Sequence, residues 1–190
     1  MKKVIIVHGC PDNQEKDPKK RTYDKHWIPW LKERLEERGF DVYVPLMPKP
    51  WEAVYEDWKK DFDNLDINED SILVGHSCGS AFLVRWLADT KIKIKRLILV
   101  APWKIIYGDY LKKEDKREFY GFEIDKEVRN NVEDIIIFTS DDEEKAGRES
   151  AKLFKEALGG KLIELKNCGH YTLEDMETEE FPELLKEVTK

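Results

Sequence analysis

Four short stretches of this chain carry side chains that could do chemistry together: Gly75-His76-Ser77-Cys78-Gly79, Asp141-Asp142, Cys168-Gly169-His170 and His8-Gly9-Cys10. In the first, a serine stands between two glycines. The apolar run Ile72-Leu73-Val74 precedes it, and Ala81, Phe82, Leu83, Trp86 and Leu87 follow at the spacing of a helix face. A G-x-S-x-G in that setting reads as a sharp strand-to-helix turn that holds the hydroxyl upright on a strained backbone, with glycines leaving room for neighbouring chain. The helix beginning beside Ser77 would aim free N–H groups and the positive end of its dipole at an oxyanion formed there. His170 is the candidate general base, because an imidazole with a pKa of about 6.5 can take a proton and return it near neutrality. An aspartate would hold its tautomer. Asp142 is favoured for that role, and Asp141 is the alternative. Two backbone N–H groups would receive the oxyanion: that of Cys78, next after the nucleophile, and that of Cys10, since Pro11 has none to offer. Together these groups would make and break a covalent acyl-serine, with no metal or organic cofactor required.

Those side chains need elements that converge. Lys3 to Val7, Phe40 to Val44, Ser71 to Val74, Arg96 to Val100, Ile135 to Phe138 and Leu162 to Leu165 read as six short strands, several apolar at nearly every position, as in a parallel sheet covered on both faces. Helical patterns separate them. Trp27, Ile28, Leu31 and Leu35 mark one that stops at Gly39, and Trp51, Val54, Tyr55, Trp58 and Phe62 mark a second. A third runs from about Ala146 to Leu158, and a last carries Phe181, Leu184, Leu185 and Val188. Alternation of this kind predicts a three-layer α/β fold with right-handed crossovers and a parallel sheet. In such a sheet ligands bind at the edge where strands run into the following helices, and Ser77, Asp141-Asp142 and His170 each follow a different strand at that edge. Their order along the chain, serine, acid, histidine, is that of the α/β-hydrolase triad. Trp51 and Trp103, at strand ends, are candidate walls of an apolar pocket. His8 and His76 are expected as scaffold beside the site, and His26 as a structural or surface residue.

A chain of 190 residues is the size of one domain, so residues 1–190 are read as a single unit. Residues 104–131 have weak periodicity, and their aromatics suit either a small lid or a surface excursion; the polar stretch from Asp12 to Arg21 is an active-site-side loop. The formal net charge of −7 argues against partners that need a basic patch, such as nucleic acid or an anionic membrane. No apolar run approaches the roughly 20 residues that cross a bilayer, and the start of the chain does not read as a signal peptide, which points to the cytoplasm. Charged residues make up 38% of the chain against a single glutamine, a bias shared with heat-adapted proteins. The three cysteines are odd in number and match no zinc spacing, so they are read as thiols. All three fall at the active edge, either as small residues beside close-packed backbone or as a place where oxidation or a soft metal switches activity off.

The chain resembles the YdeN-like group of small, lidless α/β-hydrolases, of the retinoblastoma-binding serine hydrolase type. The resemblance rests on the glycine turn after strand one, Trp27, Met47-Pro48 with Pro50, Gly75-His76-Ser77-Cys78-Gly79, Ser140-Asp141-Asp142, and Cys168-Gly169-His170. It implies a reduced sheet of about six parallel strands in the order 2-1-3-4-5-6 without the leading antiparallel strand, a nucleophile at Ser77, an acid at Asp142 and a base at His170. It also implies serine hydrolase activity with no well-defined natural substrate; the residues themselves lead to the expectation of a small ester, thioester or amide cleaved through an acyl-serine. One departure stands out: relatives follow the acid with an apolar segment ending in proline, whereas Glu143-Glu144-Lys145 follows Asp142 here. The competing expectation is a hydrolase scaffold that binds a protein partner without turnover, since fold and function are separable.

Overall fold

The computed structural model describes residues 2–11 and 25–190. Six strands, β1 (Lys3–Val7), β2 (Asp41–Tyr43), β3 (Ile72–His76), β4 (Ile94–Val100), β5 (Val132–Ser140) and β6 (Lys161–Leu165), form one sheet in the order β2-β1-β3-β4-β5-β6. Every pairing is parallel. Both faces are covered because alternate side chains along each strand feed different cores. Ile5, Val7, Leu73, Leu97, Leu99, Ile135 and Ile137 point to the face packed by α2 (Tyr55–Phe62), α3 (Cys78–Thr90), α4 (Glu114–Tyr120) and α5 (Lys145–Leu158). Val4, Ile6, Ile72, Val74, Ile98, Val100 and Ile136 point to the face packed by α1 (Ile28–Glu36) and α6 (Pro182–Thr189). The expected three-layer α/β fold and strand order are those observed.

Three expectations change. The second helix does not include Trp51: a short 3-10 turn, Pro50–Glu52, follows Lys49 in a left-handed conformation, and α2 starts only at Tyr55. Val54, assigned by spacing to the buried stripe, is 38% exposed. Between β4 and β5, residues 104–131 build a 3-10 turn (Gly108–Lys112), α4, and a 3-10 stretch (Lys126–Asn131). This segment buries Phe119, Tyr120 and Val128 in the core, with Phe119 edge-on to Trp58 at 5.2 Å. The third change concerns the cysteines. All three were expected as thiols, but Cys10 and Cys78 form a disulfide and Cys168 alone is free. The stretch from Asp12 to Arg21 lies outside the described residues. Among the described residues no helix is long and apolar enough to cross a membrane.

Candidate active site

Ser77 links β3 to α3 with φ 54° and ψ −119°, a backbone that L-residues rarely adopt. Its neighbours enforce that turn. A Cβ on Gly75 would lie 2.7 Å from the Ser80 backbone, and one on Gly79 would lie 2.5 Å from the Val7 carbonyl oxygen. The first glycine therefore lets the helix fold back on the strand, and the second lets α3 press against the end of β1. Three hydrogen bonds fix the elbow to its surroundings: Ser80 Oγ donates to the Gly75 carbonyl at 2.7 Å, Ser77 N–H to Val100 at 2.9 Å, and Trp103 N–H to Ser77 at 3.2 Å. Ser77 itself remains partly exposed.

His170, in the loop after β6, brings Nε2 to 2.8 Å from Ser77 Oγ. Its Nδ1 lies 2.8 Å from Oε2 of Glu143, so the carboxylate that the structure brings to this nitrogen is Glu143, where the sequence favoured Asp142. Glu143 is 2% exposed, and its other oxygen accepts the Glu144 N–H at 2.8 Å. The room for this buried carboxylate comes from Gly147 one turn into α5: a Cβ there would sit 2.6 Å from Glu143 Cδ. Asp142 points elsewhere because the turn after β5 aims successive side chains in different directions. Its Oδ1 accepts the Ser140 hydroxyl at 2.5 Å and the Gly169 N–H at 2.9 Å, and these two donors hold its pKa below the usual carboxylate value. Asp141 Oδ1 accepts the Asn167 N–H at 2.9 Å. Both aspartates thus brace the loop that carries His170, and Asp175 adds a third brace by accepting the His170 N–H at 2.9 Å. The signal for Glu143 was present in the sequence as the charged Glu143-Glu144-Lys145 where relatives have an apolar segment.

The other histidines are scaffold groups. His76 Nε2 donates to the His170 carbonyl at 2.9 Å, and burial first, then the nearby His170, drives its pKa well below the ordinary value. It therefore stays neutral beside the base. His8 is held by two bonds, Nδ1–H to the Gly9 carbonyl at 2.7 Å and Nε2 accepting the Met47 N–H at 3.0 Å; burial lowers its pKa to about 4. It ties the end of β1 to the crossing after β2. His26, 7% exposed, is structural: its Nδ1 accepts the Leu173 N–H at 2.9 Å. Of the two candidate wall residues, Trp103 stands edge-on to the His170 ring at 5.3 Å, while Trp51 lies in the Pro50–Glu52 turn with its carbonyl facing Lys116 Nζ at 3.5 Å. Cys78 opens α3 directly after Ser77, and the disulfide sets its Cα 5.7 Å from that of Cys10. Among the described residues no group of three or more His, Cys, Asp or Glu side chains is arranged to hold a metal ion.

Comparison with known proteins agrees with this geometry at the level of family and fold. A family model described as serine hydrolase matches residues 4–190. The chain is 27% identical over 181 residues to YdeN of Bacillus subtilis (strain 168), covering 92% of this chain and 87% of that protein. The crystal structure of the ydeN gene product from B. subtilis superposes with a TM-score of 0.85 at 23% identity, covering 100% of this chain and 97% of that one. A more distant fold neighbour is Est1E from Butyrivibrio proteoclasticus, solved with ferulic acid bound. It has a TM-score of 0.67 at 16% identity and covers 100% and 88% of the two chains.

Proposed function

The chain belongs to the serine hydrolase family, and from that premise we propose that it cleaves a small carboxylic ester, thioester or amide through an acyl-enzyme on Ser77. The observation that carries the reading is the unbroken relay Ser77 Oγ, His170 Nε2, His170 Nδ1, Glu143 Oε2, with 2.8 Å at each hydrogen bond. His170 Nε2 takes the hydroxyl proton as Oγ attacks the substrate carbonyl carbon. The imidazolium so formed is balanced by Glu143, whose buried carboxylate accepts the Nδ1–H and needs no reorganisation to do so. The carbonyl oxygen, now an oxyanion, is received by the N–H groups of Cys78 and Cys10. His170 then gives its proton to the leaving group, and a water repeats the sequence to release the acid. Trp103, seated on His170, forms the apolar wall nearest the reacting carbon. Residues 1–190 act as one hydrolase domain, in which the 104–131 segment is fixed to the rest by the Lys104 and Ile105 N–H groups donating to Ser150 Oγ at 3.0 and 2.9 Å and by Arg85 Nη1 donating to the Glu118 carbonyl at 2.9 Å. No metal or organic cofactor enters the scheme.

The test is turnover of p-nitrophenyl esters from acetate to octanoate, together with labelling by a fluorophosphonate probe, for wild type and Ser77→Ala. Turnover and label should both vanish in the variant. Label that persists on another residue in Ser77→Ala would remove Ser77 as the nucleophile. A protein that neither labels nor turns over would favour the alternative, a binding scaffold.

A further inference from the structure

The two N–H groups assigned to the oxyanion come from loops far apart in the chain, since 68 residues separate Cys10 from Cys78. The sheet brings the loops together: β1 and β3 pair with Val7 opposite Gly75, so both chains leave the sheet side by side where the strand order reverses. The two residues are not equally well held. Cys78 is fully buried in the first turn of a helix that is apolar along most of its length. Cys10 lies beyond β1, partly exposed, in a stretch with no helical or strand bonding of its own. His8 secures the chain two residues earlier, by accepting the Met47 N–H. At Cys10 itself the bond to Cys78 is covalent.

We propose that the Cys10–Cys78 disulfide is a positioning bond for catalysis: it holds the N–H of Cys10 in register with that of Cys78, so that both donors are preset for the tetrahedral oxyanion. The inference rests on the serine hydrolase reading and adds to it a role for two side chains that touch neither substrate nor triad. A backbone donor in such a hole supplies about 10²–10³ in rate, and a displacement of about 1 Å is enough to lose much of it. The buried strands and helices need no such tie, because their apolar faces already hold them. The bond therefore acts on the transition state more than on substrate binding. Opening it lowers kcat by roughly 10–100-fold and leaves KM within about threefold. The pH midpoint of turnover stays in place, since Ser77, His170 and Glu143 are untouched.

The experiment compares oxidised wild type, wild type reduced by a water-soluble phosphine, and the Cys10→Ala/Cys78→Ala double variant. The phosphine supplies two electrons to the disulfide, and one water supplies the two protons of the resulting thiols and the oxygen that leaves in the phosphine oxide. Thiol titration should rise from one, Cys168, to three. Circular dichroism and thermal melts establish that the opened forms are folded. The expected result is a kcat loss in both opened forms, matched by an equal loss of affinity for a trifluoromethyl ketone that mimics the tetrahedral state, with KM and the pH midpoint held. A bond that serves only stability would lower the melting temperature and leave the kcat of the folded protein unchanged. Folded, opened forms with kcat within twofold of the oxidised protein overturn the inference alone, as does loss of the fold in both. An oxidised protein that neither turns over esters nor labels at Ser77 overturns the serine hydrolase reading, and this inference with it.

Discussion

Exchanging Glu143 for glutamine removes one charge and almost no volume, and the surrounding hydrogen bonds dictate which way the new amide must face. Oε1 of Glu143 accepts the backbone N–H of Glu144 at 2.8 Å, and that N–H can only donate. In Glu143→Gln the single amide oxygen is drawn to it, which turns the amide NH2 toward His170 Nδ1, 2.8 Å from Oε2 in the native protein. Nδ1 must then accept, so the ring proton moves to Nε2, the nitrogen that has to take the proton of Ser77. The wrong-tautomer effect in serine proteases lowers kcat about 10⁴-fold, or roughly 5.5 kcal/mol of transition-state stabilisation. A fall of that order, with KM little changed, is expected here. Asp142→Asn is the control. Its Oδ1 accepts from Ser140 Oγ and Gly169 N–H, and an asparagine oxygen can still accept from both, so about a tenfold loss of kcat or less is expected. The assay is steady-state hydrolysis of the best p-nitrophenyl ester, with active-site titration to count competent Ser77. Should Asp142→Asn collapse while Glu143→Gln stays within tenfold of wild type, the assignment of the acid from this geometry would be refuted.

Two further outcomes follow from buried groups around the site. Gly147→Ala places a Cβ 2.6 Å from Glu143 Cδ, while alanine suits a helix better than glycine by about 1 kcal/mol. The far end of a flexible side chain is what must move, so kcat should fall about 10–100-fold with little change in melting temperature; an unchanged kcat would show that the carboxylate has more room than its contacts imply. His8, neutral in the fold with a pKa of about 4 against about 6.5 when unfolded, makes the unfolded chain the first to bind a proton as pH falls. Its contribution is constant above about pH 6.5. It is lost between pH 6.5 and 4, by about 3 kcal/mol in total. Denaturant midpoints at pH 7 and 4.5 should therefore separate less in His8→Gln than in wild type, and equal separations would count against a neutral His8.

Much of the fold could be read from one dimension because it follows from period and order. Apolar runs such as Val4 to Val7 and Ile72 to Val74 are buried on both faces wherever helices alternate with strands, and such alternation forces a parallel sheet with its crossovers on one hand. Ser77 and His170 were legible for a similar local reason. Gly75 and Gly79 record in the sequence a strand-to-helix turn packed so closely that an added Cβ would lie 2.7 Å and 2.5 Å from neighbouring backbone. The extent of α2 was less legible, because the spacing of Trp51 and Val54 matches a helix face that the extended backbone at Ala53 and Val54 interrupts.

The acid and the cysteine pair were decided only in three dimensions. Asp142 and Glu143 are adjacent carboxylates at one strand end, and residue type cannot say which of them faces the base. That depends on the direction of the turn into α5 and on one extra methylene, which carries the Glu143 carboxylate into the space left by Gly147. Likewise three cysteines at one edge of a sheet leave their pairing open. Cys10 and Cys78 meet because β1 and β3 are neighbours and both side chains turn to the same face, whereas Cys168 follows β6 at the far edge of the sheet. The sequence by itself determined the layers and the parallel sheet and singled out Ser77 and His170, because hydrophobic period and local turn chemistry are short-range, while the strand order came with the family resemblance. Tertiary structure alone chose Glu143 and the disulfide, because both depend on where side chains from separate loops point once the sheet has brought them together.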